Sequence, residues 1–350
     1  MGDHNLEARA VAGDTAAQLA LGNQAESAGD TRTARGWFAQ AAKAGRLDGL
    51  RRLAVNLLEN PPFEIAHGLN MLRAAADQGD AEAAHLFAIV AADDPTLRNR
   101  WTVALDYLLR AADGGHALAQ EQLLLLSPIT SARGRWTELR AAIDIARWLT
   151  VPSSQMLNAA PTVKSIPEFL PHTLCDWMIA RASTGMTRAT VNNPLTGKAE
   201  RVDSVRTNSQ AQFPFAKLDV VMMLIKARMA AVSGIPVEGF EPPMVLHYAV
   251  GEEYRPHFDF FDLAVPGQAH SVAQAGQRVA TFLVTLNDDF DGGETDFPRL
   301  NVRWRGKKGD ALLFFNVDGA NRPDPKTLHA GLPPTRGEKW LLSQWIRRPR

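Results

Sequence analysis

A repeated alanine-rich pattern in the N-terminal third constrains the fold of this chain more than any other feature. The segments 37–45, 71–79 and 107–115 each begin with bulky apolar residues, continue through alanines and close on a glycine. The closing glycines are 34 and 36 residues apart. A period in this range is typical of stacked helix pairs, in which alanine allows close helix contact and glycine provides a left-handed cap. We therefore expect a new helix to begin near residues 80 and 116.

The repeats resemble the short alanine-rich relatives of tetratricopeptide repeats. The segment Trp136–Leu149 is predicted to form one more helix, which would shield the last repeat from water as a cap. His67, His85 and His116 are scattered along the predicted helices without the spacing of metal ligands. We expect these histidines to be surface or packing residues.

The pattern changes near Val151, and we place a domain boundary there. A short extended segment (162–166) and a helix (171–183) are followed by short strands separated by Gly, Pro and Asp turns, which predicts a sandwich or barrel. The clearest strands are Met244–Val250, Val279–Asn287, Ala311–Phe315 and Lys339–Ile346. The sequence thus predicts an α + β multidomain protein, with a helical repeat array in residues 1–150 and a β-rich domain in residues 151–350.

Composition narrows the classes of function. The formal net charge is zero, with −3 in residues 1–150 and +3 in residues 151–350, so a nucleic-acid partner is not expected. Cys175 is the only cysteine, which excludes an intramolecular disulfide. Because no apolar run approaches the ~20 residues that cross a bilayer and the N-terminus lacks a signal-peptide pattern, we expect a cytoplasmic protein without membrane contact.

A His-x-Asp pair, His257 and Asp259, is the strongest chemical signal. Residues i and i+2 of a strand face the same side, so both side chains can reach one metal, and His329 is the candidate third ligand. Two histidines and one carboxylate form the facial triad of non-haem Fe(II) oxygenases. Lys339 starts an apolar strand, and a buried ammonium needs an anionic partner. The distal carboxylate of 2-oxoglutarate would be such a partner.

Residues 165–350 resemble the catalytic domain of the prolyl 4-hydroxylase family of 2-oxoglutarate oxygenases. The matching stretches occur in the family's order and lie at 205–209, 248–259, 276–281, 292–295, 329–331 and 339–345. One departure is Thr285, which stands where many relatives have a tyrosine. This substitution puts the hydrogen bonding around the co-substrate in question.

The resemblance implies a double-stranded β-helix (jelly-roll) barrel with flanking helices. It implies that His257, Asp259 and His329 bind Fe(II), and that 2-oxoglutarate and O2 are co-substrates, with ascorbate as a candidate further cofactor. The co-substrate would contact Lys339, Tyr248 and Thr281, and the substrate residue would contact Tyr254, Trp345 and Arg206. No catalytic residue beyond the metal ligands is implied.

The activity that the resemblance implies is hydroxylation of a prolyl residue in a peptide or protein, with release of succinate and carbon dioxide. The repeat array would add a concave surface that recruits this protein substrate. The segment Phe261–Gln277 is expected to be a long loop and is a candidate lid over the substrate.

Two alternatives stay open at this point. The chain could be an interaction scaffold whose repeats are the working part and whose barrel is weak or silent. It could also hydroxylate a free amino acid or another small molecule, since one fold supports many substrates. The intact set of His257, Asp259, His329 and Lys339 favours an active oxygenase over the scaffold.

Overall fold

Two units with different secondary structure make up the chain. The computed structural model describes residues 2–129, 133–192, 199–200 and 205–348. The first unit comprises residues 1–145 together with the short segment Asp219–Leu224. The second unit comprises residues 146–218 and 225–350.

The first unit is helical, as the repeats predict. Its helices are α1 (Gly2–Val11), α2 (Thr15–Ser27), α3 (Thr31–Lys43), α4 (Leu47–Glu59), α5 (Ile65–Asp77), α6 (Ala81–Asp93), α7 (Arg100–Asp113), α8 (Ala117–Leu126) and α9 (Trp136–Ala142). Gly45, Gly79 and Gly115 have φ angles of +86°, +100° and +86°, which confirms the predicted left-handed caps. Asp80 and His116 begin the next helices as N-caps, and their side chains accept backbone N–H bonds.

Small residues bring neighbouring helices of this unit close together. A Cβ atom on Gly49 would lie 2.8 Å from the Cβ of Ala41, so α3 and α4 approach closely at this point. Phe38, Leu53 and Leu57 fill the core between these helices. The prediction of one helix over Trp136–Leu149 was wrong in one respect. The backbone is extended at Ile143, which divides the segment into α9 and α10 (Ile145–Leu149).

Short strands dominate the second unit. The strands are β1 (Gln155–Asn158), β2 (Val163–Ile166), β3 (Thr187–Arg188), β4 (Val191–Asn192), β5 (Ala199–Glu200), β6 (Ser209–Gln212), β7 (Met244–Tyr248), β8 (Tyr254–His257), β9 (Arg278–Thr285), β10 (Asp291–Gly292), β11 (Thr295–Phe297), β12 (Val302–Trp304), β13 (Ala311–Phe315), β14 (His329–Gly331), β15 (Pro334–Arg336) and β16 (Lys339–Arg347). Three longer helices interrupt them: α11 (His172–Ser183), α12 (Val220–Ser233) and α13 (Pro266–Ala275). The opening of α12 belongs to the first unit.

Two antiparallel sheets carry the site. In the described part of the chain, the larger sheet has the order β1-β2-β13-β9-β16-β7-β6-β3 and the smaller has the order β12-β11-β14-β8. Every residue of β9 is buried, because this strand lies between β13 and β16. One apolar core joins residues of both sheets, among them Leu246, Leu283, Leu341, Phe297 and Trp304. A helical N-terminal region followed by antiparallel sheets is the predicted order of elements.

Two helices were not predicted. α12 has an apolar sequence that shows no clear helical face. The segment Phe261–Gln277 was expected to be a loop, and that prediction was wrong for α13, which has proline in its first turn and ends at Gly276 with φ +81°. Across the residues described, no helix combines the length and the apolarity that a membrane crossing would need.

Candidate metal centre and its cavity

Strand pairing brings the two candidate histidine ligands together. β8 and β14 run antiparallel, and His257 lies directly opposite His329 in their register. The centroids of the two imidazole rings are 4.3 Å apart. Asp259 lies two residues beyond His257, in a bend after β8 has ended. Strand alternation therefore explains the direction of His257, whereas the bend sets the direction of Asp259.

The three side chains have the spacing of metal ligands. Asp259 Oδ1 lies 3.6 Å from His257 Nε2, and Asp259 Oδ2 lies 3.5 Å from His329 Nε2. One ligand atom from each of the three residues lies within 4.8 Å of the other two. A divalent ion bonded to nitrogen and oxygen at about 2.0–2.2 Å fits between atoms at these separations. Two imidazoles and one carboxylate also match the donor set that non-haem iron prefers.

Backbone carbonyl groups fix the tautomer of both histidines. His257 Nδ1 lies 2.8 Å from the carbonyl oxygen of Arg255, and His329 Nδ1 lies 3.0 Å from that of Thr327. A carbonyl oxygen only accepts, so each Nδ1 carries the hydrogen and each Nε2 presents a lone pair. Burial and the neighbouring imidazole lower the pKa of His329 to about 4, so this ring stays neutral at physiological pH.

Asp259 is a buried carboxylate with its own hydrogen-bond donor. Burial alone would raise the pKa of Asp259, but the two imidazoles and a hydrogen bond from Thr281 outweigh it and hold the pKa well below its ordinary value. The Thr281 hydroxyl donates to Asp259 Oδ2 at 2.7 Å and accepts from Asn316 Nδ2 at 3.0 Å. Thr281 was predicted to bond the co-substrate; in this structure its hydroxyl donates its hydrogen to Asp259.

A single cavity collects most of the residues predicted from the sequence. It is lined by His257, Asp259, His329, Lys339, Tyr248, Tyr254, Trp345 and Arg206. Alternation along β16 was predicted to place Lys339, Leu341, Ser343 and Trp345 on one face, and all four line this cavity. Thr295 also lines it and was missed, although it stands in the glycine-rich stretch that contributed to the family resemblance.

Lys339 is a buried residue that lines this cavity. It pairs with Tyr248 across β16 and β7, it is 3% exposed, and its Nζ lies 5.1 Å from the centroid of the Tyr248 ring. Burial lowers the pKa of Lys339 to about 8, and Glu294 partly opposes this shift. Within the described residues, no carboxylate forms a salt bridge with Lys339. Burial raises the pKa of Tyr248 to about 12, so its hydroxyl remains a donor.

Aromatic rings that line the cavity pack against arginines. Tyr254 stacks on His257 with 3.4 Å between ring centroids, and the Arg206 guanidinium lies 4.5 Å from the centroid of the Tyr254 ring. Arg206 is 3% exposed and donates to Asn208 Oδ1 at 2.8 Å. The Arg278 guanidinium lies 3.5 Å from the centroid of the Trp345 ring. Arg206, Tyr254 and Trp345 also line an adjoining groove, which therefore leads to the metal centre.

A second cluster with ligand spacing lies in the helical unit and consists of Glu82, His85 and His116. His116 Nδ1 accepts from the Ala119 N–H, so its Nε2 carries the hydrogen that faces Glu82 at 3.1 Å. His85 Nε2 accepts from Gln122 Nε2 at 3.0 Å, and the two imidazoles stack at 4.4 Å. Hydrogen bonding therefore occupies these lone pairs, in agreement with the expectation that these histidines are packing residues.

Comparison with known proteins agrees with this geometry. Residues 243–347 match the family model of the 2OG-Fe(II) oxygenase superfamily. The chain is a 2-oxoglutarate-dependent dioxygenase, and this class uses Fe(II), 2-oxoglutarate and O2.

Individual relatives define the family within this class. Prolyl 4-hydroxylase 5 of Arabidopsis thaliana is 35% identical over 219 residues, which cover 57% of this chain and 71% of the relative. Probable prolyl 4-hydroxylase 3 of the same plant is 32% identical over 212 residues, which cover 55% of this chain and 71% of the relative. The chain belongs to the prolyl 4-hydroxylase family. A crystal structure of the viral collagen prolyl hydroxylase of Paramecium Bursaria Chlorella virus-1 is 30% identical, with 53% of this chain and 96% of that chain covered and a TM-score of 0.40.

Proposed function

We propose that this protein hydroxylates a C–H bond of a prolyl residue in a peptide or protein, with succinate and carbon dioxide as the other products. One observation carries the proposal. Three metal-ligand side chains and a buried ammonium, for which the described residues supply no ion-pair partner, line a single cavity. The names of the relatives, which are prolyl 4-hydroxylases, support the choice of proline.

We assign the iron to His257 Nε2, His329 Nε2 and one oxygen of Asp259. The fit rests on the donor set, because both imidazoles present a lone pair and the carboxylate stays ionised. When bound, Fe(II) together with 2-oxoglutarate and O2 supplies the oxidant that converts C–H to C–OH. The side chains keep this centre in a fixed geometry, and the buried walls of the cavity exclude water.

Lys339 and Tyr248 are assigned to 2-oxoglutarate. The Lys339 ammonium would bond the distal carboxylate in a charge-assisted contact, with the Tyr248 hydroxyl as a neighbouring donor. Both groups line the same cavity as the metal ligands, which supports the proposal that one 2-oxoglutarate would contact the Lys339 ammonium and the metal together. The Thr281 hydroxyl would support the iron ligand Asp259, to which it donates a hydrogen bond; its contact with the co-substrate stays a prediction. Ascorbate stays a prediction for which the side chains offer no separate support.

The groove offers a surface suited to a prolyl residue. Tyr254 and Trp345 would pack against the pyrrolidine ring, while Arg206 would donate to a peptide carbonyl group. Arg206 Nη2 is buried and has no hydrogen-bond partner among the described residues, which supports a donor role toward a ligand. Such a donor favours a peptide, because its backbone supplies the acceptor.

We also propose a separate role for each of the two parts of the chain. Residues 1–150 would form a tetratricopeptide-like array that recruits the protein substrate, and residues 151–350 would form the oxygenase domain as a double-stranded β-helix. The helices and their glycine caps support the first assignment. The two antiparallel sheets around one core support the second. A cytoplasmic location is part of the same proposal.

The experiment is a direct search for the product. The full-length protein is incubated with Fe(II), 2-oxoglutarate and a host lysate that has been separated into a protein fraction and a small-molecule fraction. We expect peptides from the protein fraction to gain the mass of one oxygen atom at proline, and the Asp259→Ala variant to leave them unchanged. Oxygen gained only in the small-molecule fraction would contradict the peptide assignment.

A further inference from the structure

We propose that Asn316 is a positioning residue for the metal centre. Through the hydroxyl of Thr281 it fixes which oxygen of Asp259 is presented to the iron. The inference rests on the proposed function of His257, Asp259 and His329 as iron ligands. It extends that function to a residue that is fully buried and lies behind the carboxylate, away from the cavity.

The hydrogen bonds from Asn316 to Asp259 can run in one direction only. An ionised carboxylate only accepts, so the Thr281 hydroxyl must donate to Asp259 Oδ2, which lies 2.7 Å away. The Thr281 oxygen is then free only to accept. Asn316 must present its NH2 group, and Nδ2 lies 3.0 Å from the hydroxyl oxygen. The opposite amide orientation would place two acceptors face to face without a hydrogen between them.

This chain of bonds distinguishes the two oxygens of Asp259. Oδ2 accepts the Thr281 hydrogen and lies 3.5 Å from His329 Nε2, whereas Oδ1 accepts no hydrogen bond from Thr281 and faces His257 Nε2 at 3.6 Å. The carboxylate is therefore prepared to bind the metal through Oδ1. Outer-shell bonds of this kind orient metal ligands, and their loss typically weakens metal affinity or activity about 10–100-fold.

The Asn316 side chain is expected to lower the stability of the fold. Its amide oxygen is buried and has no hydrogen-bond partner among the described residues. An unpaired buried carbonyl carries its full desolvation cost. The backbone nevertheless holds the residue firmly, because its N–H donates to the Val279 carbonyl at 2.8 Å and its carbonyl accepts from the Asp324 N–H at 3.0 Å. The Asn316 side chain thus forms a hydrogen bond through its NH2 group but none through its oxygen. This pattern favours a role at the metal centre over a role in folding.

Strand β13 and the bend after it support two ligands. Phe314 lies in β13, and Asn316 lies in the bend that directly follows the strand. The ring of Phe314 packs edge-on against His329, with 4.8 Å between centroids, while Asn316 bonds Thr281. The end of β13 and the bend after it thus contact His329 by packing and reach Asp259 through the Thr281 hydroxyl.

The test replaces Asn316 by leucine, which is similar in size and has no polar side-chain atoms. Co(II) binding is followed by visible absorption, and thermal unfolding is followed on the metal-free protein. We expect Co(II) to bind about 10-fold more weakly or worse, while the melting temperature stays the same or rises. A lower melting temperature with unchanged Co(II) affinity would overturn the inference. Failure of the variant to fold would overturn it as well, because removal of an unpaired amide should be tolerated.

The matched control is Asn56→Leu in the helical unit. Asn56 is also fully buried, but its amide is bonded on both sides: Oδ1 accepts from Arg35 Nε at 2.8 Å and Nδ2 donates to the Thr31 carbonyl at 3.1 Å. We expect the same substitution here to lower the melting temperature and to leave Co(II) affinity unchanged. Equal losses of stability in the two variants would contradict the positioning role of Asn316.

Variants of Thr281 test the route of the effect. Thr281→Ser keeps the hydroxyl and should keep Co(II) affinity, whereas Thr281→Val should lose it. Since Asn316 acts only through this hydroxyl, Asn316→Leu should add nothing to Thr281→Val. Additive losses would overturn the inference. If the unaltered protein binds no Co(II), the proposed metal centre itself is wrong; if it binds Co(II) and Asn316→Leu binds equally well, only the role of Asn316 is wrong.

Discussion

At the scale of single residues, Lys339 is a cation whose partner the described residues do not supply. Its ammonium lies over the Tyr248 ring, and no salt bridge is formed in the described part of the chain. The contact between an ammonium and an aromatic face offsets only part of the free energy that it costs to bury the charge. An anionic ligand in the same cavity would recover the rest.

Replacing Lys339 by methionine should weaken 2-oxoglutarate binding and spare the metal. The lost charge-assisted bond corresponds to about 1.5–3 kcal/mol, or roughly 10-fold to over 100-fold in Kd. The Kd is measured by calorimetry on the Co(II)-loaded protein. Lys308→Met serves as the control, because Lys308 bonds Asp176 at the surface. Unchanged affinity in Lys339→Met would show that another group binds the carboxylate.

The same lysine predicts a pH dependence of co-substrate binding. Burial lowers the pKa of Lys339 to about 8, so the free protein carries the ammonium below that pH and loses it above. The Kd for 2-oxoglutarate should be constant between about pH 6.5 and 7.5 and rise above about pH 8, by up to 10-fold per unit, because binding must then include uptake of a proton. Lys339→Arg should bind without this rise, since arginine stays charged. A flat profile in the unaltered protein would contradict the assignment.

At the scale of elements, α13 is a helix without a buried residue. Polar contacts hold it. Arg347 Nη1 donates to the carbonyl of Gly276 at 2.8 Å, while Arg347 Nε donates to Glu241 Oε1 at 2.7 Å. The same carboxylate receives two bonds from Arg278, whose guanidinium lies against Trp345. The segment that ends α13 and the Trp345 side chain are therefore connected through one partly buried glutamate, Glu241.

Loss of this contact should loosen α13. Arg347→Met keeps the apolar stem and removes the guanidinium, so amide exchange over residues 266–275 should become faster, because a helix held by few buried contacts opens easily. The KM for a peptide substrate should rise while 2-oxoglutarate affinity is retained. Exchange mass spectrometry provides the measurement. The control is Arg336→Met, which removes an exposed partner of Asp291 and should leave the exchange of residues 266–275 unchanged. Equally fast exchange in both variants would contradict a specific role of Arg347 in holding α13.

These elements also show what a sequence can and cannot predict. Alternation along β16 predicted that Lys339 and Trp345 lie on one face, because successive side chains of a strand point to opposite faces. The pairing of β16 with a strand on each side keeps this alternation regular. The helix α12 was missed, since an apolar run that is buried on several sides has neither the period of a strand nor that of a surface helix. Thr281 accepts a hydrogen bond from Asn316, which is 35 residues away, and no local pattern indicates such a contact.

At the scale of the whole molecule, the boundary between the two units does not follow the order of the chain. Residues Asp219–Leu224 belong with residues 1–145, although they lie in the second half of the sequence. The Val220 N–H donates to the Gln122 side chain at 2.9 Å. Val220, Val221 and the next three residues are 4% exposed or less. A division at residue 150 would separate this segment from the rest of its unit.

A fragment of residues 146–350 should therefore be poorly soluble. Val220–Leu224 belong to the same unit as residues 1–145. Removal of residues 1–145 therefore exposes this apolar segment to water. Size-exclusion chromatography with light scattering should show aggregates. Glutamine at Val220, Val221 and Leu224 should increase the monomeric fraction of the fragment. A monodisperse fragment without these substitutions would contradict the prediction.

The placement of α12 has a consequence for how such a protein can change over generations. If a gene fusion joined the oxygenase part of this chain to an unrelated helical array, the opening turns of α12 would lose the helices with which they pack. The array can then be replaced only together with compensating changes at Val220–Leu224, 70 residues or more beyond the nominal junction. The array and the opening of α12 would therefore have to be exchanged together, and a search for exchangeable parts of this chain should start from α12 rather than from residue 150.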